Sequence, residues 1–312
     1  MKKVLFATTA LVATAGVAAA DVTFSGYGRF GVIYADNEGG DDETSITSRL
    51  RLQIDATAES DAGVVFGARA RIQQSERGEL LGVREALSDN GGTGGGTGIN
   101  GVRFFARSGG LEVGVGNIFG ALEYMPGQYP IDLGLTGLGY DYTTYNFRGD
   151  LYSSSGAGSA GDNGVEVLYS FGDWSFHVSG SDSNDRIAGW AAYNWNGFTF
   201  ALAGQDSDLE SDTDWAASVS GSFGVADVAL AYASNGDDED NGNGDHVALT
   251  ATFDVGAATS LDLYVADADY FEETSYGIGV HHDLGGGTSI RGGVASRGNE
   301  QVRADLGVRF NF

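Results

Sequence analysis

Apolar and polar residues alternate along several stretches of the chain, most clearly near its two ends. Between residues 22 and 34, one set of alternate positions contains Phe24, Phe30 and Val32, and the other contains Tyr27 and Arg29. Successive side chains of a β-strand point to opposite faces, so a period of two predicts strands with one apolar and one polar face. The stretches with this pattern are 22–34, 44–59, 64–73 and 302–312.

This alternation fits two environments. A soluble antiparallel sheet turns its apolar face to a protein core and its polar face to water. A membrane β-barrel turns its apolar face to lipid and its polar face to an aqueous lumen. The period of two alone therefore leaves open both a secreted soluble β-protein and a membrane barrel.

The lengths of the connections between the predicted strands favour the barrel. Seven connections are short, namely 60–63, 108–110, 172–173, 196–197, 224–225, 255–259 and 285–287. They alternate with eight others, several of them long and acidic, namely 37–43, 77–98, 119–162, 183–185, 207–212, 235–244, 269–272 and 297–300. Seven and eight connections predict an all-β fold of 16 antiparallel strands with short turns on one side, which is typical of outer-membrane barrels. A barrel of this size encloses an open lumen.

The first 20 residues differ from the rest of the chain. Lys2 and Lys3 are followed by an apolar run over residues 4–17 and by alanines at 18–20. A positive start, a short apolar segment and small residues before a cleavage point are the features of a secretory signal peptide. We therefore expect residues 1–20 to be an export signal and residues 21–312 to form one barrel domain.

The composition agrees with an exported sheet protein that does not bind nucleic acid. Beyond the two lysines of the export signal, 15 arginines face 43 carboxylates, which gives residues 21–312 a net charge of −28. Such a charge repels nucleic acid. The chain has no cysteine for a disulfide and only 2 prolines, which suits long strands. The acidic stretches 36–43 and 237–245 are either solvated charge or sites for divalent cations shared with lipid phosphates.

Five arginines share the polar faces of the first three predicted strands, near the middle of each strand. This basic cluster consists of Arg29, Arg49, Arg51, Arg69 and Arg71. A guanidinium stays charged at physiological pH, so five neighbouring ones repel each other unless carboxylates lie nearby. Pairing with one acid explains a single arginine on such a face, whereas five on adjacent strands favour a functional cluster in the lumen.

Four segments resemble the general-diffusion porins of photosynthetic alphaproteobacteria, the Rhodobacter type. These segments are SGYGRFG at 25–31, SRLRL at 48–52, GVVFGARAR at 63–71 and ADLGVRFNF at 304–312. The similarity is close at both ends of the barrel domain and looser between them. The final residue, Phe312, resembles the signal that outer-membrane assembly machinery reads.

The resemblance implies a homotrimer of 16-stranded barrels in the bacterial outer membrane, in contact with lipid and lipopolysaccharide, through which small hydrophilic solutes and ions diffuse passively. In that family the third external loop folds inward, and its carboxylates face arginines on the barrel wall. The basic cluster matches by position, and the predicted loop 119–162 supplies Glu123, Asp132 and Asp141 as the acidic side. No cofactor is required, but relatives bind calcium near this loop, which makes Asp132 and Asp141 candidate Ca²⁺ ligands.

Other functions fit parts of the pattern. The tyrosines of the third loop are compatible with a sugar-specific channel, and a lumen closed by packed charges would make a purely structural barrel. An enzyme is disfavoured, because His177 on a lumen face has no serine to activate and no metal-binding spacing occurs. Small residues on outward faces suit close packing of further subunits, and they are Gly26, Gly28, Ala68 and Ala70.

Overall fold

The structure is a computed structural model that describes residues 20–36, 43–76, 98–146, 152, 163–182, 185–208, 213–236 and 243–312. The expected export signal lies outside these residues except for its last position. Most of the two acidic stretches and of residues 147–162 also lie outside them. No helix in the described ranges is long and apolar enough to cross a membrane.

The described residues contain seventeen strand segments. In chain order they are β1 (Asp21–Ala35), β2 (Glu43–Glu59), β3 (Val65–Glu76), β4 (Gly98–Ile99), β5 (Arg103–Ser108), β6 (Leu111–Asn117), β7 (Asn163–Phe171), β8 (Trp174–Ser181), β9 (Arg186–Trp195), β10 (Phe198–Asp206), β11 (Asp214–Phe223), β12 (Ala226–Ser234), β13 (Asp245–Gly256), β14 (Thr259–Ala268), β15 (Ser275–Gly285), β16 (Thr288–Ser296) and β17 (Val302–Asn311).

The strands form one closed antiparallel barrel. Each strand pairs with its neighbours along the chain, and β1 pairs with β17 to close the ring. Both β4 and β5 pair with β3, so they are two parts of one interrupted strand. The segments of the described chain therefore make 16 barrel strands, and the predicted fold is confirmed.

The interruption between β4 and β5 is a β-bulge beside the basic cluster. Arg69 pairs with Arg103, and Ile72 pairs with Ile99, so the bulged strand has one residue more than β3 between these pairs. An extra residue of this kind changes which side chains point inward. Here Arg103 points inward after the extra residue. Before it, the side-chain oxygen of Asn100 accepts a hydrogen bond from the backbone N–H of Arg71 at 2.6 Å.

Short and longer connections alternate along the chain as predicted. The short turns lie at the end of the barrel where β1 begins and β17 ends, and the longer connections lie at the opposite end. The turn between β9 and β10 consists of Asn196 and Gly197, whose φ angles are 51° and 83°. A two-residue hairpin turn with positive φ at both positions favours asparagine followed by glycine.

The barrel is apolar outside and polar inside. Phe24 and Leu306 on the outer face are 61% and 57% exposed, whereas Arg103 and Arg303 on the inner face are each 1% exposed. In a soluble sheet protein the large apolar side chains are the buried ones. The reversed distribution suits a barrel surrounded by lipid, and it excludes the soluble alternative.

The connection between β6 and β7, which we call L3, folds into the lumen. Its apolar side chains Leu122, Met125 and Tyr145 pack against small inward-facing side chains of β9–β12. We call this lining the alanine wall, and it consists of Ala188, Ala192, Ala201, Ala203, Ala216 and Ala233. Because alanine leaves space inside the barrel, L3 lies along this side and its other side turns toward β1–β3.

The two glycines on the outer face of β1 are covered by aromatic rings of β17 and the C-terminus. A Cβ atom on Gly28 would lie 2.3 Å from the ring of Phe310, and one on Gly26 would lie 3.0 Å from the ring of Phe312. Aromatic side chains that pack over glycine in a neighbouring strand stabilise a sheet. The outward glycines of β1, which were expected to allow close packing of another subunit, are therefore covered by side chains of the same chain.

Candidate pore constriction

Three arginines lie directly opposite one another on neighbouring strands. The strand register pairs Arg29 of β1 with Arg309 of β17 on one side and with Arg49 of β2 on the other. Like charges in directly opposed positions destabilise a sheet. This row of arginines therefore needs compensating groups from elsewhere in the molecule.

L3 supplies two of these compensating groups. Arg309 donates a hydrogen bond from Nη1 to the Asp132 carboxylate at 2.6 Å. Arg29 donates from Nη1 to the backbone carbonyl of Leu135 at 2.8 Å. Charge-assisted hydrogen bonds of this type are the strong ones, so the arginine row and L3 hold each other in place.

Tyr27 supplies a third compensating group from the wall itself. Its hydroxyl accepts a hydrogen bond from Arg49 Nη1 at 3.3 Å. The guanidinium carbon atoms of Arg309 and Arg51 lie 4.3 and 5.4 Å from the centre of its ring. A cation over an aromatic face is attracted by the ring electrons, so Tyr27 spaces the arginines and stabilises their charge.

The rest of the basic cluster lies on the lumen side of β2 and β3. Arg51 Nε donates to the side-chain oxygen of Gln73 at 2.6 Å, and Arg71 Nε donates to a glutamine of β2 at 3.2 Å. Arg69 pairs with Asp55 at 2.6 Å. All three side chains are half-buried, so they remain accessible from the lumen.

Asp132 of L3 joins the basic cluster to a further arginine. Its Oδ2 accepts a hydrogen bond from Arg291 of β16 at 2.9 Å as well as the bond from Arg309. The Asp132 side chain is 39% exposed, so it borders the open lumen. We call the complete set the arginine wall, and it consists of Arg29, Arg49, Arg51, Arg69, Arg71, Arg291 and Arg309.

Glu123 is the second carboxylate of L3 that faces the arginine wall. It accepts a hydrogen bond from the backbone N–H of Tyr152 at 2.8 Å and lies near Arg71 and Arg51. Burial within the loop raises the pKa of Glu123 above its usual value, although the nearby arginines act in the opposite direction. Glu123 and Asp132 thus place negative charge across from the arginines.

Asp141 lies elsewhere, although the sequence groups it with these two acids. Its carboxylate accepts hydrogen bonds from Arg297 at 2.8 Å, from the Ser275 hydroxyl at 2.8 Å and from the Gly298 N–H at 3.0 Å. Its backbone carbonyl accepts a further bond from His246 at 2.9 Å. Asp141 is 7% exposed, so it anchors L3 to the wall near the outer loops and does not line the lumen.

The geometry of Asp132 and Asp141 does not fit the calcium site expected from the resemblance. A calcium ion takes 6–8 oxygen ligands, several of them usually carboxylates. The Asp132 carboxylate accepts hydrogen bonds from two guanidiniums, whose positive charge repels a cation. Both carboxylate oxygens of Asp141 accept hydrogen bonds from protein donors. Within the described ranges, no three His, Asp or Glu side chains are grouped to hold a metal ion.

Comparison with known proteins agrees with the barrel fold. The sequence profile described as Gram-negative porin matches residues 7–301. The chain belongs to the Gram-negative porin family. The porin of Fuscovulum blasticum is 30% identical and that of Rhodobacter capsulatus 29%, each match covering 94% of this chain and 100% of the relative.

Solved structures of related porins have the same fold. A mutant of the Rh. blastica porin matches with a TM-score of 0.78 at 25% identity, and a triple mutant of the Rhodopseudomonas blastica porin with 0.76 at 27%. Each match covers 94% of this chain and 100% of the other. Porins are outer-membrane channels that let solutes diffuse, so this chain is a channel and not an enzyme, and the expected Rhodobacter-type resemblance is confirmed.

A buried charged network holds the first residues of L3 in this porin. Arg103 forms ion pairs with Glu166 and, at 2.6 Å, with Glu112. The second oxygen of Glu166 accepts the backbone N–H of Phe119 at 3.1 Å and contacts His177 at 2.9 Å. His177, the residue weighed as a catalytic base, is thus fully buried and positions L3 through Glu166.

Sequence reasoning missed Tyr27, Arg291 and Arg309 as part of the site. The alternation places Tyr27 and Arg309 on polar faces. It does not show that these two faces adjoin, which follows only from the pairing of β1 with β17. A closed barrel always makes its first and last strands neighbours. This rule would have allowed Arg309 to be placed beside Arg29 from the sequence. Arg291 could not be placed in this way, because it lies in a glycine-rich strand without a distinct pattern.

Proposed function

We propose that the passage for solutes is narrowest between L3 and the arginine wall. The arginine side includes the predicted cluster, Arg29, Arg49, Arg51, Arg69 and Arg71, and the acidic side consists of Glu123 and Asp132. One observation carries this proposal: Asp132 of L3 is bonded to Arg291 and Arg309 while it borders the open lumen. L3 therefore brings negative charge to the arginine wall at the edge of the open lumen.

The charges on the two sides create a field across the passage. Two unit charges about 4 Å apart interact by about 4 kcal/mol at an effective dielectric of about 20. Water and small polar solutes can orient in such a field, whereas apolar solutes must displace oriented water. Selection is then by size and polarity, as at charged rings of other channels, and passage of small hydrophilic solutes and ions remains passive.

The cellular setting belongs to the same proposal. Residues 1–20 direct export, and residues 21–312 assemble in the outer membrane as a homotrimer in contact with lipid and lipopolysaccharide. The signal-like N-terminus supports export, and the exposed apolar outer face supports insertion in lipid. The trimer rests on family membership and on the small outward residues Ala68 and Ala70 of β3.

Single-channel recording tests the proposed function directly. Residues 21–312 are refolded and added to a planar lipid bilayer in KCl. We expect large, stable current steps that are linear in voltage and close in groups of three. A correctly folded, heat-modifiable barrel that conducts no current would contradict the proposal and favour the closed structural barrel.

A solute-specific channel is the second candidate, and one observation favours it. The side of L3 that faces away from the alanine wall exposes Tyr124 and Tyr129. Aromatic rings in a channel bind the faces of ring-shaped solutes, which a purely electrostatic passage does not.

A further inference from the structure

Three tyrosines project from the lumen side of L3. Tyr124 and Tyr129 are 38% and 42% exposed, and Tyr140 is half-buried. The ring centres of Tyr129 and Tyr140 are 6.3 Å apart, and those of Tyr124 and Phe119 are 4.5 Å apart. We call Tyr124, Tyr129 and Tyr140 the tyrosine row. Their ring faces give the passage a water-exposed aromatic surface.

The tyrosine row lies close to the arginine wall. The Phe119 ring that packs against Tyr124 lies with its centre 5.4 Å from the guanidinium carbon of Arg69, and Tyr124 also lies near Arg71. Tyr140 lies within electrostatic range of Arg29 and Arg49. The passage therefore presents aromatic rings on one side and guanidiniums on the other, within the length of one small molecule.

Rings and guanidiniums already stack on each other around the passage. The guanidinium carbon of Arg71 lies 4.4 Å from the ring centre of Tyr152, and that of Arg309 lies 4.3 Å from the ring centre of Tyr27. Arginine combines stacking on aromatic faces with hydrogen bonding to carboxylates. A solute with both an aromatic ring and a carboxylate meets both preferences at once.

We infer that aromatic carboxylates of the benzoate class bind transiently in this constriction. The ring lies against the tyrosine row, and the carboxylate accepts hydrogen bonds from Arg49, Arg51 or Arg71, which are half-buried and reach the lumen. The inference rests on the proposed channel and narrows its solute class. A neutral sugar would use the rings and leave the arginine charge unused, so it binds less well.

The test compares two carboxylates of similar size. Benzoate and cyclohexanecarboxylate have the same charge, but only benzoate has an aromatic ring. Each is added to the refolded porin in a planar bilayer, and the apparent dissociation constant is taken from the fall in KCl current. We expect benzoate to bind about 3-fold to 10-fold more tightly, as a favourable aromatic contact provides.

Two variants of one residue assign the preference to the tyrosine row. Tyr129→Leu removes the ring and is expected to bring the two dissociation constants together. Tyr129→Phe keeps the ring and loses only the hydroxyl contact with Tyr145 at 2.9 Å, so it is expected to retain the preference. Tyr124→Leu provides a second test if Tyr129→Leu does not fold.

Three results would overturn the inference. They are equal block by the two carboxylates in the unmodified porin, an unchanged preference in the leucine variant that folds, and block by glucose as strong as that by benzoate. Loss of all KCl current in the unmodified porin contradicts the proposed channel itself. The KCl current is recorded before any solute is added, so the two failures are distinguished.

Discussion

At the scale of single residues, Asp141 explains how a loop can stay in place inside a water-filled barrel. Both of its carboxylate oxygens are hydrogen bonded, and its main partner is Arg297, which directly follows β16. Removal of one partner from a buried ion pair leaves the other charge uncompensated, which costs more than the pair itself contributes. Asp141 therefore fixes the position of L3 relative to the arginine wall.

Asp141→Asn should loosen L3. The variant keeps the shape of the side chain but leaves the Arg297 charge without its carboxylate, so we expect the free energy of unfolding to fall by about 2–4 kcal/mol. We also expect larger and noisier single-channel currents, because L3 then moves within the lumen. Urea unfolding and bilayer recording measure the two effects.

Glu300→Gln is the matched control for that variant. Glu300 lies in the same outer connection as Arg297 but is exposed, so the same change of charge there should leave both stability and current noise unchanged. Equal effects of the two substitutions would show that loop charge, and not the Asp141 contacts, matters.

At the scale of elements, strands and loop differ in how far the sequence predicts them. The alternation predicts the strands because facing lipid and facing water are local properties of neighbouring residues. The course of L3 is not local: the backbone N–H of Leu135 bonds to the carboxylate of Asp305, 170 positions away. The inward alanines that receive the loop look, in the sequence, like ordinary small residues.

The residues of the candidate constriction also differ in how far the sequence predicts them. The face on which the five arginines of the basic cluster lie follows from alternation, which is local, whereas their role in the constriction stays a prediction. Asp132 and Asp141 are alike in the sequence, yet Asp132 borders the lumen and Asp141 is buried in an ion pair with Arg297. Only the packing of L3 separates them, so no local pattern assigns their roles.

A larger side chain in the alanine wall should push L3 toward the arginines. Ala216 is fully buried beneath L3, and Ala216→Leu adds volume that the packed contact does not accommodate. We expect a loss of about 1–3 kcal/mol in the free energy of unfolding and a lower single-channel conductance. Bilayer recording in KCl measures the conductance.

Ala251→Leu on the outer face provides the comparison. Ala251 belongs to β13 and shares the outward positions of Val247 and Leu249, so the added methyl groups enter lipid. Its conductance should equal that of the unmodified porin. A reduced conductance in Ala251→Leu, or none in Ala216→Leu, would contradict the role of the alanine wall.

At the scale of the whole molecule, two charge distributions act at different depths. Residues 21–312 carry a net charge of −28, which concentrates cations near the porin. The arginine wall acts only within the lumen. Ion preference is therefore a balance between the charge of the whole chain and the charge at the constriction.

We expect weak cation selectivity at neutral pH that declines on acidification. Protons neutralise carboxylates while guanidiniums keep their charge. The pKa of Glu123 is raised by burial, so Glu123 loses its charge at a higher pH than exposed carboxylates, and its protonated form stabilises the fold below that pKa. Reversal potentials in a KCl gradient at about pH 7 and about pH 5 measure the change.

Glu123→Gln distinguishes the contribution of the constriction to ion selectivity from the contribution of the other carboxylates of the chain. The variant should be less cation-selective than the unmodified porin at neutral pH and should change less when the pH is lowered. Clear anion preference of the unmodified porin at neutral pH would contradict the expected balance.

The pairing of β1 with β17 also has a consequence for the assembly of the barrel. Arg29 and Arg309, which face each other in the constriction, come from opposite ends of the polypeptide. A chain that has not yet delivered its last strand lacks both the closed ring and the complete set of charges. The closed ring and the complete row of opposed arginines therefore form together, in the step that pairs β1 with β17.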